Sequence, residues 1–307
     1  MKKNIFLAGI LMPILGYTQQ TDSTAKPVLL TTAPRLGGVN ITNQVTPINA
    51  GGNTFVMQLP TADVGIPVYK HFSGKHPVMV KTGVRYQGLL LTDEQSIGSN
   101  NFHSLTVPLL VSYSFSRATN MQFIGAATAG TDGKQDIKGE DIQYVIGVRM
   151  GFHQRSAFKY GVTLSYISNY SGSYILPIPD LDWEINKRWS LSGIIPVRTS
   201  LKYAITKAHS LGITAGYNGG LYGLNNQPQR QYIQLQQYSG GLIYDGKLGQ
   251  RWRVNLVAGY TFMQRLETFN MDQKISFNDL TKLNDRKPNI SYRQNSFIFQ
   301  GGISYLF

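Results

Sequence analysis

Apolar and polar residues alternate with a period of two along several parts of this chain. In residues 297–307, Phe297, Phe299, Ile303, Tyr305 and Phe307 occupy odd positions, whereas Gln300, Gly302 and Ser304 occupy even positions. Side chains of a β-strand point alternately to its two faces. The pattern therefore predicts a strand with one apolar, aromatic face and one small, polar face.

The same alternation recurs in residues 78–90, 104–115, 142–152, 158–166 and 251–262. These segments have about 9 to 12 residues, the length that a tilted strand needs to cross a bilayer, and aromatic residues gather near their ends. The pattern predicts an all-β fold, a transmembrane antiparallel up-and-down β-barrel. The alternative is a soluble sheet that ends in a buried edge strand.

The links between the predicted strands alternate in length. Short links lie at residues 117–120, 153–157, 206–209 and 247–250, and longer, more polar links lie at 92–101, 131–140, 219–230 and 265–291. Bacterial barrels have short periplasmic turns and longer extracellular loops. We therefore expect the longer links to lie outside the cell.

Two strand counts are compatible with these segments. One parity continues from Trp189 to Tyr203 through Pro196, which favours a single long strand there and about 12 strands in all. Strict alternation of link lengths instead requires a turn near Pro196 and an early strand around residues 36–45, which gives about 14. We favour about 12 strands and keep 14 as the alternative.

Both ends of the sequence carry features of an exported protein. Lys2 and Lys3 precede apolar residues 5–15, and Gly16 and Thr18 place small residues before a predicted cleavage site near Gln19. This is the three-part layout of a secretory signal peptide. We predict a signal peptide at residues 1–18, a polar lead at 19–52 and an outer-membrane β-barrel at 53–307.

The last eight residues also resemble the C-terminal signal that the barrel-assembly machinery recognises. The matching positions are Gln300, Gly302, Tyr305 and Phe307. We therefore expect two partners, the assembly machinery during biogenesis and the lipid of the cell outer membrane.

Composition and charge narrow the function classes. Only 15% of residues are charged, and the chain has 32 Gly, 18 Tyr, 14 Phe and no Cys. Without cysteine the chain cannot form a disulfide or carry a lipid on an N-terminal cysteine. The net charge of +13 can indicate nucleic-acid binding. In an exported barrel we instead attribute it to a basic lumen or to anionic headgroups, and we expect no nucleic-acid partner.

The parity opposite to the aromatic one faces the lumen of such a barrel and carries most charges. The basic residues are Lys81, Arg85, Arg149, Lys159, Arg198, Lys202, Arg251 and Arg253, and the acidic ones are Asp180, Asp182 and Glu184. One hypothesis is a passive pore that prefers small anions, with Arg149, Arg198 and Lys202 as its main determinants. In the alternative, these charges pair and plug the lumen, and the long loops, chiefly residues 265–291, bind a partner or a surface glycan.

Signals for catalysis are weak. His103 and Ser104 are adjacent and therefore point to opposite faces of a strand, which argues against a catalytic pair within this segment. A lipid-acting barrel enzyme is a distant third hypothesis. We predict no enzyme activity, no catalytic residue, no cofactor and no metal site.

Residues 174–224 carry a resemblance to a known family. A Pro-containing strand leads through Trp183 and a short turn to a second strand ending at Pro196, and then to a Tyr-containing strand, with Pro179, Trp189 and Tyr203 in the expected order. This order is similar to that of Bacteroidota outer-membrane β-barrel proteins in a family of unknown function. The resemblance implies an outer-membrane barrel and implies no activity and no functional residue.

Overall fold

The chain forms a β-barrel that the first and last strands close. The computed structural model describes residues 37–50, 53–72, 76–94, 96–116, 118–134, 136–155, 157–225, 230–275 and 285–307. The strands are β1 Gly38–Ala50, β2 Asn53–His71, β3 Val78–Thr92, β4 Asn101–Ser114, β5 Thr119–Thr131, β6 Ile142–Arg155, β7 Phe158–Asn169, β8 Gly172–Glu184, β9 Trp189–Ile194, β10 Arg198–Ala204, β11 His209–Leu224, β12 Gln231–Leu248, β13 Trp252–Asn270, β14 Ile290–Arg293 and β15 Phe297–Leu306. One 3₁₀ turn, Gly139–Asp141, precedes β6.

Each strand from β1 to β13 pairs antiparallel with the next one in sequence, and β15 lies between β13 and β1. The closing seam pairs Gly38 with Leu306 and continues to Val45 opposite Phe299. In a closed antiparallel sheet, the backbone groups of each strand pair with those of the strands on either side.

In the part of the chain that the structure describes, the wall has fourteen strand positions. Both β14 and β15 pair with β13. β14 lies near the rim with the long links, which we call the upper rim, and β15 lies below β14, so together they occupy one strand position. The predicted all-β barrel is thus confirmed, with the larger of the two predicted strand counts, 14. The continuous strand through Pro196, which favoured about 12, was wrong: β9 and β10 form a hairpin in which Ile194 pairs with Arg198.

The barrel also begins earlier than residue 53. Residues 38–50 are not part of a polar lead but form β1, which pairs with β2 along its whole length and closes the barrel against β15. Its alternation is weak in sequence because Asn, Gln and Thr occupy six of its 13 positions. The predicted signal peptide lies outside the described residues.

The outer face of the wall is apolar. Leu105, Val107 and Leu109 on β4 are 51%, 51% and 43% exposed, as expected of side chains that face lipid rather than a protein core. Aromatic pairs surround the rim with the short turns; they are Phe152–Tyr160, Phe158–Trp183, Trp189–Tyr203 and Trp252–Tyr305. Among the described residues, we find no helix with the length and apolar character needed for a membrane span.

The wall is incomplete above the β9–β10 hairpin. These two strands have only 6 and 7 residues, whereas β8 and β11 on either side have 13 and 16. β8 therefore pairs with β9 only from Asp180 onward. We call the missing part of the wall, between residues 172–179 of β8 and residues 217–224 of β11, the notch.

The edge of β8 that faces the notch carries two prolines. The N–H of Ile195 donates to the carbonyl of Pro179 at 2.9 Å, so the backbone polar groups of Pro179 face this edge. The N–H and C=O of one strand residue point to the same side, and residues two apart share that side. Pro177 therefore also faces the notch. Because proline has no N–H, these two positions have no donor that needs a partner.

On the other side of the notch, the upper half of β11 turns into the lumen. Its carbonyls accept from residues on the opposite wall: Gln87 Nε2 donates to Gly219 O at 3.4 Å, and Gln143 Nε2 donates to Leu221 O at 3.1 Å. The N–H of Asp132 donates to Gly223 O at 3.0 Å. We call the inward part of the β11–β12 hairpin, residues 217–224 and 231–237, the cap.

The structure of the cap shows that one of the predicted links was wrong. Residues 219–230 contain Gly, Asn, Gln and Pro and were expected to form a long loop. The structure instead continues β11 to Leu224 and begins β12 at Gln231. The two strands pair without interruption from His209 opposite Gly246 to Leu224 opposite Gln231, so this pairing outweighs the local preference for a loop.

The close approach of β12 and β13 requires glycine. A Cβ at Gly241 would lie 2.3 Å from the carbonyl oxygen of Ala258, a backbone atom that cannot move without its strand. We expect Gly241→Ala to destabilise the barrel by about 1–3 kcal/mol through overpacking. Stability is measured as the urea concentration at which half of the protein has changed from the electrophoretic mobility of the folded barrel to that of the heat-unfolded chain.

Gly125→Ala is the matched control, because its new Cβ would have only Phe123 as a neighbour, at 4.0 Å. Equal midpoints for the two variants would contradict the steric explanation.

Candidate functional site: the occluded lumen

Many inward side chains of the barrel are buried, although a water-filled channel would expose them. Gln237, Asn255 and Thr261 have no exposed surface, and Lys81, Arg149 and Lys202 are 3%, 6% and 5% exposed. Only contact with other side chains across the lumen can exclude water from so many polar groups. The lumen is therefore filled by its own polar residues.

Arg149 on β6 lies at the centre of the first charged cluster. Its guanidinium donates through Nε and one Nη to the two carboxylate oxygens of Asp180, both at 2.7 Å, and through the other Nη to Asn120 at 3.1 Å. The side chain crosses Gly151 and Gly161, where an added Cβ would lie 2.3 Å and 2.5 Å from the guanidinium nitrogens. These two glycines therefore leave the space through which Arg149 reaches Asp180, two strands away.

Lys202 on β10 forms the second cluster. Its ammonium group pairs with Asp245 on β12, and both side chains are buried. Asn255 on β13 donates to the other carboxylate oxygen of Asp245 at 2.7 Å. Gly212 of β11, which pairs with Lys202 in register, has no side chain in the space between them.

Arg85 on β3 forms the third cluster with Asp63 on the adjacent β2, at 3.2 Å between Nε and Oδ1. Asn40 on β1 donates to the second oxygen of Asp63 at 3.3 Å. Lys81 lies four residues before Arg85 on the same inward face and is buried. In each of the three clusters, a predicted basic residue is matched by a carboxylate and an amide.

The remaining predicted lumen residues lie nearer the short-turn rim or the notch. Lys159 and Asp182 are opposite each other in register on β7 and β8, and both are half-buried. Glu184 is half-buried at the end of β8, and Arg198 is half-buried at the start of β10, below the notch. Arg253 is half-buried on the inward face of β13. Arg251 was assigned to the lumen in error: it lies in the β12–β13 turn and donates to Tyr305 on the outer face at 2.9 Å.

The residues of the proposed assembly signal lie on or directly after β15. Gly302 faces Thr42 across the closing seam, where an added Cβ would lie 2.7 Å from Thr42 Cγ2. Tyr305 packs against Trp252 on the outer face, Phe307 is exposed and Gln300 is half-buried on the inward face. Recognition by the assembly machinery stays a prediction.

Glutamines join the cap to the wall at β1 and β13. Gln44 on β1 donates to Gln237 Oε1 at 2.5 Å, and Gln237 donates to Gln264 on β13 at 2.8 Å. Asn218 on β11 donates to Gln44 Oε1 at 3.5 Å. The cap is thus held by hydrogen bonds from several directions, in addition to those from β3, β5 and β6.

Aromatic residues fill the space above these glutamines. Tyr222 and Tyr232 on the cap are fully buried and pack against Phe102 and Tyr170, with ring centroids 5.9 Å and 5.7 Å apart. Burial raises the pKa of Tyr170, which lies in the β7–β8 turn. Its hydroxyl therefore stays protonated and donates to the carbonyl of Gly130 at 2.8 Å. The upper opening is closed by a packed aromatic layer.

Sequence reasoning found the cations of the lumen and missed most of their partners. Asp245 precedes Gly246, and an Asp-Gly pair is typical of a turn, so the local sequence does not indicate that β12 continues through it. Asp63 lies in β2, whose alternation is interrupted by Pro60 and Pro67. Gln87 and Gln143 were on predicted inward faces, but nothing in their sequence context indicates the carbonyl that each one contacts.

The His103 side chain lies on the outer face and is within 2.8 Å of the Tyr86 hydroxyl, whereas Ser104 points inward, as their adjacency predicted. Within the described ranges, no group of three or more His, Asp or Glu side chains could hold a metal ion.

Comparison with known proteins assigns the chain to a family. Residues 100–305, from β4 to the closing strand, match the family described as DUF6268, a domain of unknown function. The chain belongs to this family. A family of unknown function agrees with the resemblance seen in the sequence, while the assignment to Bacteroidota stays a prediction. No curated protein matches.

Several solved structures are similar to this chain at low identity and low TM-score. A bacterial polysaccharide outer-membrane secretin has 9% identity and a TM-score of 0.36, over 89% of this chain and 98% of that one. TodX, a monoaromatic hydrocarbon channel, has 9% identity and a TM-score of 0.41, over 88% of each chain. The translocator domain of NalP from Neisseria meningitidis has 13% identity and a TM-score of 0.31, over 88% of each. Nothing about activity follows from such scores.

The Arg149 cluster makes a testable prediction about stability. Arg149→Met leaves Asp180 buried without its cation, which we expect to cost about 3–5 kcal/mol. Arg149→Met combined with Asp180→Leu removes both charges, and we expect it to recover most of that loss. Urea unfolding in detergent micelles measures both variants, and a double variant no more stable than the single one would refute the pairing.

Proposed function

We propose that this protein is an integral outer-membrane barrel whose folded lumen is closed to ion flow. The observation that carries this proposal is the cap, a part of the wall itself that crosses the upper opening. In this view the protein acts through its rims and its lipid-facing surface rather than as a passive channel.

Three features support the outer membrane as its location. The outward face is apolar, an aromatic girdle follows the short-turn rim, and the predicted signal peptide directs export. Strands provide the only spanning segments that the described residues offer, and outer-membrane barrels cross in this way.

The pairing of lumen charges favours the closed barrel over an anion-preferring pore. An anion pathway requires cations that face water, but Arg85, Arg149 and Lys202 each contact a carboxylate. If one of these ion pairs were removed, the aromatic layer of the cap would remain in place. A partner or surface glycan bound at the upper rim remains compatible with this arrangement.

Single-channel recording in planar bilayers tests the proposal. We expect the refolded wild-type barrel to show no stable conductance steps. Gln87→Leu combined with Gln143→Leu leaves the carbonyls of Gly219 and Leu221 unpaired, each at a cost of about 1–3 kcal/mol. We expect the cap of this variant to open transiently and to give conductance steps.

Thr106→Val combined with Thr163→Val is the matched control, because both residues are buried on inward faces of the wall. It should remain as silent as the wild type. Stable steps from folded wild-type barrels would reject the closed lumen, and an effect of Arg149→Met on their ion preference would then restore the pore hypothesis.

A further inference from the structure

The outer surface of the barrel has an apolar groove between β9 and β15. Its volume is about 980 Å³. The side walls are formed by large apolar residues of β10, β11, β13 and β15, among them Leu201, Ile213, Phe262 and Phe299. Ala215, Gly240 and Ala258 form the floor. We call this surface the groove.

The groove exists because the sheet bends inward at this height. The β12–β13 pairing contains a bulge between Tyr238 and Ser239, directly above Gly240, and β11 and β12 enter the lumen above it. A β-bulge bends the strand that contains it. Glycine and alanine at the bend leave the concave outer face without side chains to fill it. The groove and the cap are thus two consequences of one bend.

The rim directly below the groove is strongly basic. The turns that join β8 to β9, β10 to β11 and β12 to β13 contain Lys187, Arg188, Lys207 and Arg251 and no acidic residue. Lys247 at the end of β12 and Glu184 at the end of β8 lie beside them. This half of the rim therefore presents five cations and one carboxylate below an apolar cavity.

Two of these cations are held against the lipid-facing side by tyrosines. Arg188 donates to the Tyr203 hydroxyl at 2.7 Å, with its guanidinium carbon 5.9 Å from the ring centroid. Arg251 donates to the Tyr305 hydroxyl at 2.9 Å and lies 6.0 Å from that ring. Both arginines are exposed. Their remaining N–H groups are therefore available at the depth where lipid phosphates lie.

We propose that this surface binds anionic phospholipids of the leaflet at the short-turn rim. Arg188 and Arg251 lie four strands apart, so they contact the phosphates of different lipid molecules, and an acyl chain occupies the groove between them. The inference rests on membrane insertion, one part of the proposed function, and is independent of the closed lumen. A second copy of the chain fits less well, because a two-fold contact across this face would bring two sets of five cations together.

The tryptophans of the protein report on this site. All three, Trp183, Trp189 and Trp252, are exposed on the outer face at the same rim. The experiment compares quenching of their fluorescence in phosphatidylcholine vesicles that contain either brominated phosphatidylglycerol or brominated phosphatidylcholine. We expect several-fold enrichment of phosphatidylglycerol at the wild-type protein, because each basic residue near the surface attracts anionic lipid.

Arg188→Gln combined with Arg251→Gln should abolish the enrichment. Lys70→Gln, which neutralises an exposed cation on the other half of the rim, should preserve it. Equal quenching by the two lipids, or equal loss in both variants, would overturn the proposal. The electrophoretic shift of the folded barrel is measured on the same samples, so failure to insert is distinguished from failure to select a lipid.

The acyl-chain part is tested by native mass spectrometry of the purified barrel with added phosphatidylglycerol. Ala215→Phe combined with Ala258→Phe fills the groove and should lower the number of retained lipids. Ala127→Phe, on the outer face of β5, should not. A wild-type protein that is dimeric in lipid and becomes monomeric when the groove is filled would instead identify the groove as a contact between copies.

Discussion

Every backbone N–H and C=O within the bilayer needs a partner inside the protein, and this requirement governs the whole molecule. Around most of the circumference, the neighbouring strand supplies that partner. At the notch no strand of the described residues lies alongside either edge, and the two edges satisfy their backbone groups differently. On β8, Ser173 donates to the carbonyl of Ile275 at 3.3 Å, and Pro177 and Pro179 lack the donor. On β11, the carbonyls of Gly219 and Leu221 accept from Gln87 and Gln143 across the lumen.

The charged interior follows from the same requirement applied to side chains. Arg149 and Lys202 are buried on inward faces and Arg85 is half-buried there, where a cation without a carboxylate would be costly. Each contacts an acid from another strand, and glycines on the strands between them leave room for the long side chains. These pairs join β2 to β3, β6 to β8 and β10 to β12. The lumen is thus cross-linked by polar contacts as well as by the cap.

Much of the fold could be predicted from the sequence because a period of two residues is a local property. The alternation at residues 104–115 and 142–152 identified both the strands and their lipid-facing sides. The strand pairs that contact across the barrel depend on distant positions and leave no local trace. Asp245 carries a turn signal, residues 219–224 have a loop-like composition, and a single parity continues through Pro196. In all three cases, pairing with another strand outweighs the local preference.

The length of the β9–β10 hairpin determines whether the lumen of this barrel is open. If β9 and β10 were extended by a few residue pairs, they could occupy the notch, and β11 would find a neighbour without crossing the lumen. The two prolines of β8 oppose that change, because a longer β9 would meet positions without donors. A relative with an open lumen is therefore expected to differ at two places together, in the length of the hairpin around residues 195–197 and at positions 177 and 179. Trimming surface loops would leave the lumen closed, since the residues that close it are hydrogen-bonded parts of the wall.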